Sequence, residues 1–292
     1  MARERGAHTR WTMLNVSPKQ WQADCHLIEF PDGTRVLIDV ADAGDAPGTV
    51  MTWMRKHDIE HVNLIVISHF HFDHYDRVED LINAGVRVDR IALNVPVAEV
   101  GNRERMYASG WDTIQAFLQF LRDKGVPYFT PKAGDRLIEV PLPAFPIIGH
   151  RQVAALDVVA LYDGLHTPIG RTDVNDTSII LRLSHGRTHA LFTGDLNGPM
   201  GMYLATHNFD LAADILKVPH HGTEGLAPNE FFDRVHAKAA LVPGPKALWW
   251  SLRSKRPRTY FADHHIPTYV SGINGDVTVT MTTRGFTIKT ER

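Results

Sequence analysis

The apolar segment Leu64-Ile65-Val66-Ile67 leads directly into Ser68-His69-Phe70-His71-Phe72-Asp73-His74, a stretch holding three histidines and one aspartate within six residues. A short continuous apolar run ahead of such polar groups reads as a buried strand. On an extended chain His69 and His71 project to one side, while Phe70 points away into packing. Neutral imidazole and carboxylate are the ligand types of zinc and iron. Asp73 and His74 follow the turn, placed to hold a second metal roughly 3.5–4 Å from the first, the spacing of two-metal hydrolytic sites. One histidine there would read as a core residue bonded to a carbonyl, but four titratable groups crowded behind a buried strand are costly without a chemical role. A two-metal site draws ligands from several strand ends, so the fold must bring further ligands to this one.

The remaining chain is compatible with such a fold. Its 292 residues are 43% hydrophobic and 22% charged, ordinary values for a globular protein with a sizeable core. The formal net charge of −2 gives no global basic bias toward nucleic acid or anionic membrane. No apolar run approaches the roughly 20 residues of a membrane span, and Met1 to Arg10 lacks the apolar core of a signal peptide. The single cysteine, Cys25, excludes an internal disulfide and fits a reducing compartment. The expectation is a cytoplasmic protein without a membrane partner, with a flexible start over residues 1–10 and one continuous domain over 11–292.

Periodicity and turn residues predict an α/β chain. Strands are expected over Cys25 to Phe30 and Arg35 to Val40, a helix over Thr49 to His57, the motif-bearing strand over His61 to Ile67, and a helix over Asp76 to Ala84. Trp111 to Lys124 reads as an amphipathic helix closed by Gly125. Ser178 to Leu183 and His189 to Thr193 read as a hairpin, and Ala213 to Val218 and Ala239 to Val242 as further strands. The two halves follow the same order, strands first and then strand–helix units, without a sequence repeat.

Two later segments supply the missing strand ends. Leu191-Phe192-Thr193-Gly194-Asp195 is an apolar strand ending in glycine and aspartate; alone it would more often be a turn. Leu216-Lys217-Val218-Pro219-His220-His221-Gly222 ends in two histidines beside glycine, where little backbone obstructs an inward imidazole. His220 is assigned as the ligand of the second metal and His221 as a substrate-contacting residue or proton donor, with the reverse assignment as the alternative.

His69-Phe70-His71-Phe72-Asp73-His74 is an HxHxDH match and resembles the signature of the metallo-β-lactamase superfamily. The resemblance implies a four-layer αβ/βα sandwich of two mixed sheets flanked by helices, carrying one or two metals at one edge, with Asp195 bridging them. "LFTGD" and "LKVPHHG", together with Asp24 to Gly33, Val36 to Asp39 and Asn175 to Leu181, are similar to the soluble hydrolase domain of ComEC-like competence proteins. That similarity covers most of residues 11–290. The superfamily usually supplies a third histidine roughly twenty residues before the bridging aspartate; here that segment carries Asp173 and Asn175. His166, and less so His150, are the candidates to replace it.

The resemblance implies hydrolysis by a hydroxide held between two divalent metals, zinc by default with manganese and iron as alternatives. Asp73 would ligate and orient this nucleophile, and Asp39 would fix a histidine's tautomer from behind. A phosphodiester, in a small molecule or a nucleic acid, is the first choice of substrate. The basic segment Arg253 to Arg258 beside Trp249 and Trp250 offers phosphate contacts from Arg253 and Arg256 and stacking from Trp250; the plain alternative is a solvated helix start with two core tryptophans. A carboxylic ester, lactone or β-lactam is the second substrate class, and a non-catalytic, metal-stabilised binding module is the alternative from outside enzymes. Protein partners and oligomeric state are not legible.

Overall fold

The computed structural model describes residues 7–143 and 152–292. His150 lies outside them. Two large sheets face each other. The first runs, edge to edge, Gly285–Thr290, Val277–Thr282, Thr9–Met13, Cys25–Glu29, Arg35–Val40, Leu64–Ile67, Ile91–Leu93 and Tyr128–Phe129. Its first five strands pair antiparallel and the remainder parallel. The second runs Thr268–Val270, Ala239–Val242, Ile215–Lys217, Thr188–Phe192, Ile180–His185, Val153–Ala160 and Arg136–Pro141, again parallel at one side and antiparallel at the other.

Side-chain alternation builds the layers. Leu64 and Val66 join Trp11, Ile38, Leu181, Phe192, Ile215 and Leu241 in a core between the sheets. Ile65 and Ile67 point the other way, against Met54 of helix Thr49–Lys56 and Ile114, Phe117 and Leu121 of helix Trp111–Asp123. On the far side Leu216 and Val242 pack under Met200 of helix Gly198–Thr206, Phe231 and Phe232 of Asn229–Val235, and Phe261 of Lys255–Asp263. The order helices, sheet, sheet, helices is the expected αβ/βα sandwich. A strand buried on both faces must be apolar throughout, which is why Leu64–Ile67 reads as a continuous run.

Some local expectations change. The first strand begins at Thr9, inside the segment expected to be flexible, because Thr9, Trp11 and Met13 are buried along it on one side. The helix expected over Asp76 to Ala84 runs Val78–Asn83, and a further helical turn, Phe72–Tyr75, precedes it and holds Asp73 and His74. Opposite Cys25 and His26 the register of Arg35–Val40 shifts by one residue, leaving Asp39 as a bulge at φ 58°. No helix among the described residues is long and apolar enough to cross a membrane.

Candidate metal centre

The C-terminal ends of Leu64–Ile67, Thr188–Phe192 and Ile215–Lys217 meet at one edge of the sandwich, and the chain is bent sharply at each. Asp39, His220 and His221 hold φ of 58°, 50° and 53°, and Gly194 and Gly222 are also left-handed. Non-glycine residues in this region are uncommon, and such strain collects where side chains must be aimed. At Gly222 an added Cβ would press on Trp249 and Val242, each at 3.1 Å, so only glycine fits there. These bends, with the helical turn Phe72–Tyr75 that follows Leu64–Ile67, bring His74, Asp195 and His221 onto one point, with Asp24 beside them. Asp195 Oδ2 lies 3.4 Å from His74 Nε2 and 3.3 Å from His221 Nε2, and the latter is 3.4 Å from Asp73 Oδ2.

The opposite ring nitrogens are tied down, and this fixes the tautomers. His74 Nδ1 donates to Asp39 Oδ2 at 2.8 Å, and His221 Nδ1 donates to the Pro243 carbonyl at 2.8 Å. Ser68 Oγ gives its proton to Asp39 Oδ2 at 2.9 Å, so it accepts from His69 Nδ1 at 3.1 Å. In the neutral form of each ring the lone pair therefore sits on Nε2, and Nε2 of His69, His74 and His221 is buried and without a hydrogen-bond partner. An unmatched buried acceptor costs about 1–3 kcal/mol. Three histidine acceptors around a buried carboxylate have the chemistry of a cation site, so the residues fit the divalent metal that the fold implies. His71 is bound the other way: its Nε2 donates to Glu104 Oε2 at 2.8 Å, which leaves Nδ1 for a metal.

The electrostatics call for positive charge at the same point. Burial alone disfavours a charged imidazole at His221, yet the Asp195 and Asp73 carboxylates outweigh it and push the group up to about 10. His74 is raised against burial by Asp195 and Asp39. Despite burial, Asp195 is held well below the carboxylate range by His221, His74 and Lys217. His69 is driven well below the imidazole range by burial and by His74 and His71, which keeps it neutral and ready to ligate.

Of the residues expected from sequence, His69, His71, Asp73, His74 and Asp195 lie together here; ring centroids are 4.9 Å apart for His69 and His71 and 4.1 Å for His69 and His74. Asp39 stands behind His74 on the ring nitrogen away from the cluster. Of the tandem histidines, the left-handed bends turn His221 onto Asp195 and Asp73, while His220, assigned from sequence as the ligand, is part-exposed with Nε2 3.9 Å from Asp195 Oδ2. His166 does not replace a third histidine. Its side chain is 77% exposed and its Nδ1 bonds Asp163 at 2.7 Å. Asn175 is buried with an unpartnered Oδ1, and three residues on, Ser178 Oγ accepts from the Asp195 amide at 3.0 Å and lies 3.4 Å from His69 Nδ1.

The basic segment is largely committed elsewhere. Arg256 donates to Asn229 Oδ1 and to the Leu226 and Ala227 carbonyls, so its expected phosphate role is replaced by a structural one. Trp249 is core, and Trp250 is exposed with the Arg258 guanidinium 5.3 Å over its ring. Arg253 pairs with Glu224 at 3.1 Å on the wall of a groove of about 550 Å³. Gly225 lines this groove too, and a Cβ there would lie 3.9 Å from His220 Nδ1. Sequence reasoning missed Asp24, Lys217 and Glu104. The signal for Lys217 was a lysine within an otherwise apolar strand.

Two mixed sheets between helix layers, with histidines and aspartates gathered at one edge, define the metallo-β-lactamase fold, and this chain has it. YhfI of Bacillus subtilis, a metallo-β-lactamase fold protein, superposes with a TM-score of 0.53 at 12% identity, over 90% of this chain and 96% of that one. Among curated proteins the chain is similar to ComE operon protein 3 of Bacillus subtilis (strain 168), 23% identical over 233 residues, or 80% of this chain. It is also similar to the uncharacterized protein YcaI of Escherichia coli (strain K12), 24% identical over 119 residues, or 40% of this chain. The chain spans 24% and 16% of the lengths of these two relatives. No protein-family profile matches it.

Proposed function

We propose that this chain is a metal-dependent hydrolase whose substrate is a phosphodiester. The observation that carries the metal dependence is the convergence of His74 Nε2 and His221 Nε2 on Asp195 Oδ2, all buried, with each opposite ring nitrogen already bonded. His74, His221, Asp73 and Asp195 would hold one divalent cation and His69 and His71 contribute to a second, with Asp195 between them. Such cations polarise the substrate and make hydroxide available near neutral pH by lowering the pKa of water to about 7. The protein's own groups do the rest. Asp39 and the Pro243 carbonyl keep two imidazoles in the ligating tautomer, and Asp73, only slightly exposed, orients the attacking water. His220, part-exposed near Gly225 of the groove, would contact the substrate.

The phosphodiester is supported by the likeness to ComE operon protein 3, through the resemblance to the competence-protein hydrolase domain, and by Arg253 on the wall of that groove. A cytoplasmic location is our reading of the single buried cysteine. The test is metal analysis of purified protein followed by turnover of a bis-aryl phosphate, an aryl ester and a lactone by wild type, His221→Ala and Asp195→Ala. Bound metal, with phosphodiester turnover fastest and abolished in both variants, is expected. Faster lactone or ester turnover would move the substrate class. Bound metal with equal rates in all three proteins would make the chain a metal-stabilised binding module, and absence of metal would overturn the hydrolase reading.

A further inference from the structure

Behind the metal centre, a row of buried polar groups crosses the seam between the two sheets. Lys217, at the end of strand Ile215–Lys217 in the second sheet, has a side chain only 2% exposed. Its Nζ lies 2.6 Å from Asp24 Oδ2 and 3.5 Å from Asp195 Oδ1, and donates to the Gly194 carbonyl at 2.8 Å. Asp24 comes from the first sheet, just before Cys25–Glu29, and is fully buried. Its other oxygen, Oδ1, lies 3.2 Å from His26 Nε2. His26 Nδ1 accepts from Trp11 Nε1 at 3.3 Å, so the His26 proton sits on Nε2 and points at Asp24.

Asp24 falls within the cluster of groups able to surround a metal, yet both its oxygens face positive or proton-bearing neighbours from behind. Asp195 is divided between two sides: Oδ2 faces His74 and His221, and Oδ1 faces the ammonium. Burying an ion pair is rarely justified by stability alone, because well-packed apolar groups do as well. The position of this pair gives it another use.

We propose that Lys217 is a positioning residue of the metal centre, holding Asp195 so that Oδ2 alone is offered to metal, with Asp24 as its counter-ion rather than as a ligand. The inference rests on the metal-centre reading above. It assigns a role to a buried lysine and a buried aspartate, and it links the two sheets through the residue placed between the two metals.

The test compares zinc affinity, by competition with a chromophoric chelator, in wild type, Lys217→Met and the double variant Asp24→Asn/Lys217→Met, alongside thermal unfolding of the metal-free proteins. Lys217→Met alone leaves Asp24 buried without its ammonium counter-ion and should unfold far more easily. The double variant removes both charges at nearly constant volume and should regain most of the thermal stability. It should nevertheless bind zinc about 10–100-fold more weakly, the usual cost of losing a group that orients a ligand. The absorption spectrum of its cobalt form should also shift, since a carboxylate free to chelate changes the coordination. Zinc affinity and cobalt spectrum equal to wild type in a stable double variant would reduce the pair to a structural one. Tighter zinc binding in Lys217→Met, lost again in the double variant, would show that the ammonium occupies a place a metal takes and that Asp24 is a ligand. A wild type that binds no zinc or cobalt would overturn the metal-centre reading itself.

Discussion

Replacing Asp39 tests whether the bulge that presents it organises the metal centre. Its carboxylate accepts from the Ser68 amide at 2.7 Å, from Ser68 Oγ at 2.9 Å and from His74 Nδ1 at 2.8 Å, all buried. In Asp39→Ala the Ser68 hydroxyl still accepts from His69 Nδ1, but the Ser68 amide and His74 Nδ1 lose the Asp39 carboxylate. At about 1–3 kcal/mol for each orphaned buried donor, the loss is about 2–6 kcal/mol. Alanine at φ 58° adds about 1–2 kcal/mol. Asp39→Asn keeps one acceptor oxygen and tolerates the left-handed backbone, so about half the hydrogen-bond loss is expected. Asp39→Gly removes the backbone strain and none of the hydrogen-bond loss, which separates the two terms. The assay is urea unfolding of chelator-treated protein, paired with zinc competition; affinity should fall about 10–100-fold in all three variants as the His74 ring loses its anchor. An alanine variant within about 0.5 kcal/mol of wild type would refute the argument, the ordinary range for featureless sites. Full rescue by glycine would attribute the effect to backbone geometry alone.

Other perturbations address separate parts of the molecule. His220→Ala should retain zinc at near wild-type affinity while raising KM or lowering kcat for a bis-aryl phosphate; loss of the metal would restore His220 as a ligand. Gly194→Ala would put a Cβ 2.3 Å from Ser178 Oγ at φ 48°, so overpacking and strain together should cost about 3 kcal/mol, and Gly194→Ala/Ser178→Gly should recover part of it on urea unfolding. His185, buried against Thr9 Oγ1 at 2.9 Å, is lowered by burial and then by His8 from 6.5 to about 4. The unfolded chain therefore takes up this proton first on acidification, and stability falls between about pH 6.5 and pH 4, by about 2–3 kcal/mol. His185→Gln should flatten that acid limb, and an unchanged slope would show that His185 is not its source.

The layers of this fold were legible because burial on both faces forces an uninterrupted apolar strand, and Leu64–Ile67 could not have been written otherwise. The ligands following it were legible because alternation alone places His69 and His71 on one side. What spacing could not decide was which of two adjacent histidines turns inward, because two successive left-handed residues make that choice and histidine tolerates them without a glycine to announce them. Asp39 sat at the expected strand end, but its aim comes from a one-residue register shift that no pattern of period two records. The basic run from Arg253 to Arg258 looked like a ligand surface since composition shows charge and not what the charge touches; Arg256 is spent on backbone carbonyls. Lys217 is the opposite case. Its neighbours Ile215 and Leu216 lie in different buried layers, so an ammonium between them had to find a carboxylate from another part of the chain. A buried charge in an apolar strand thus predicted a partner without naming it, and only the closure of one sheet on the other supplied Asp24.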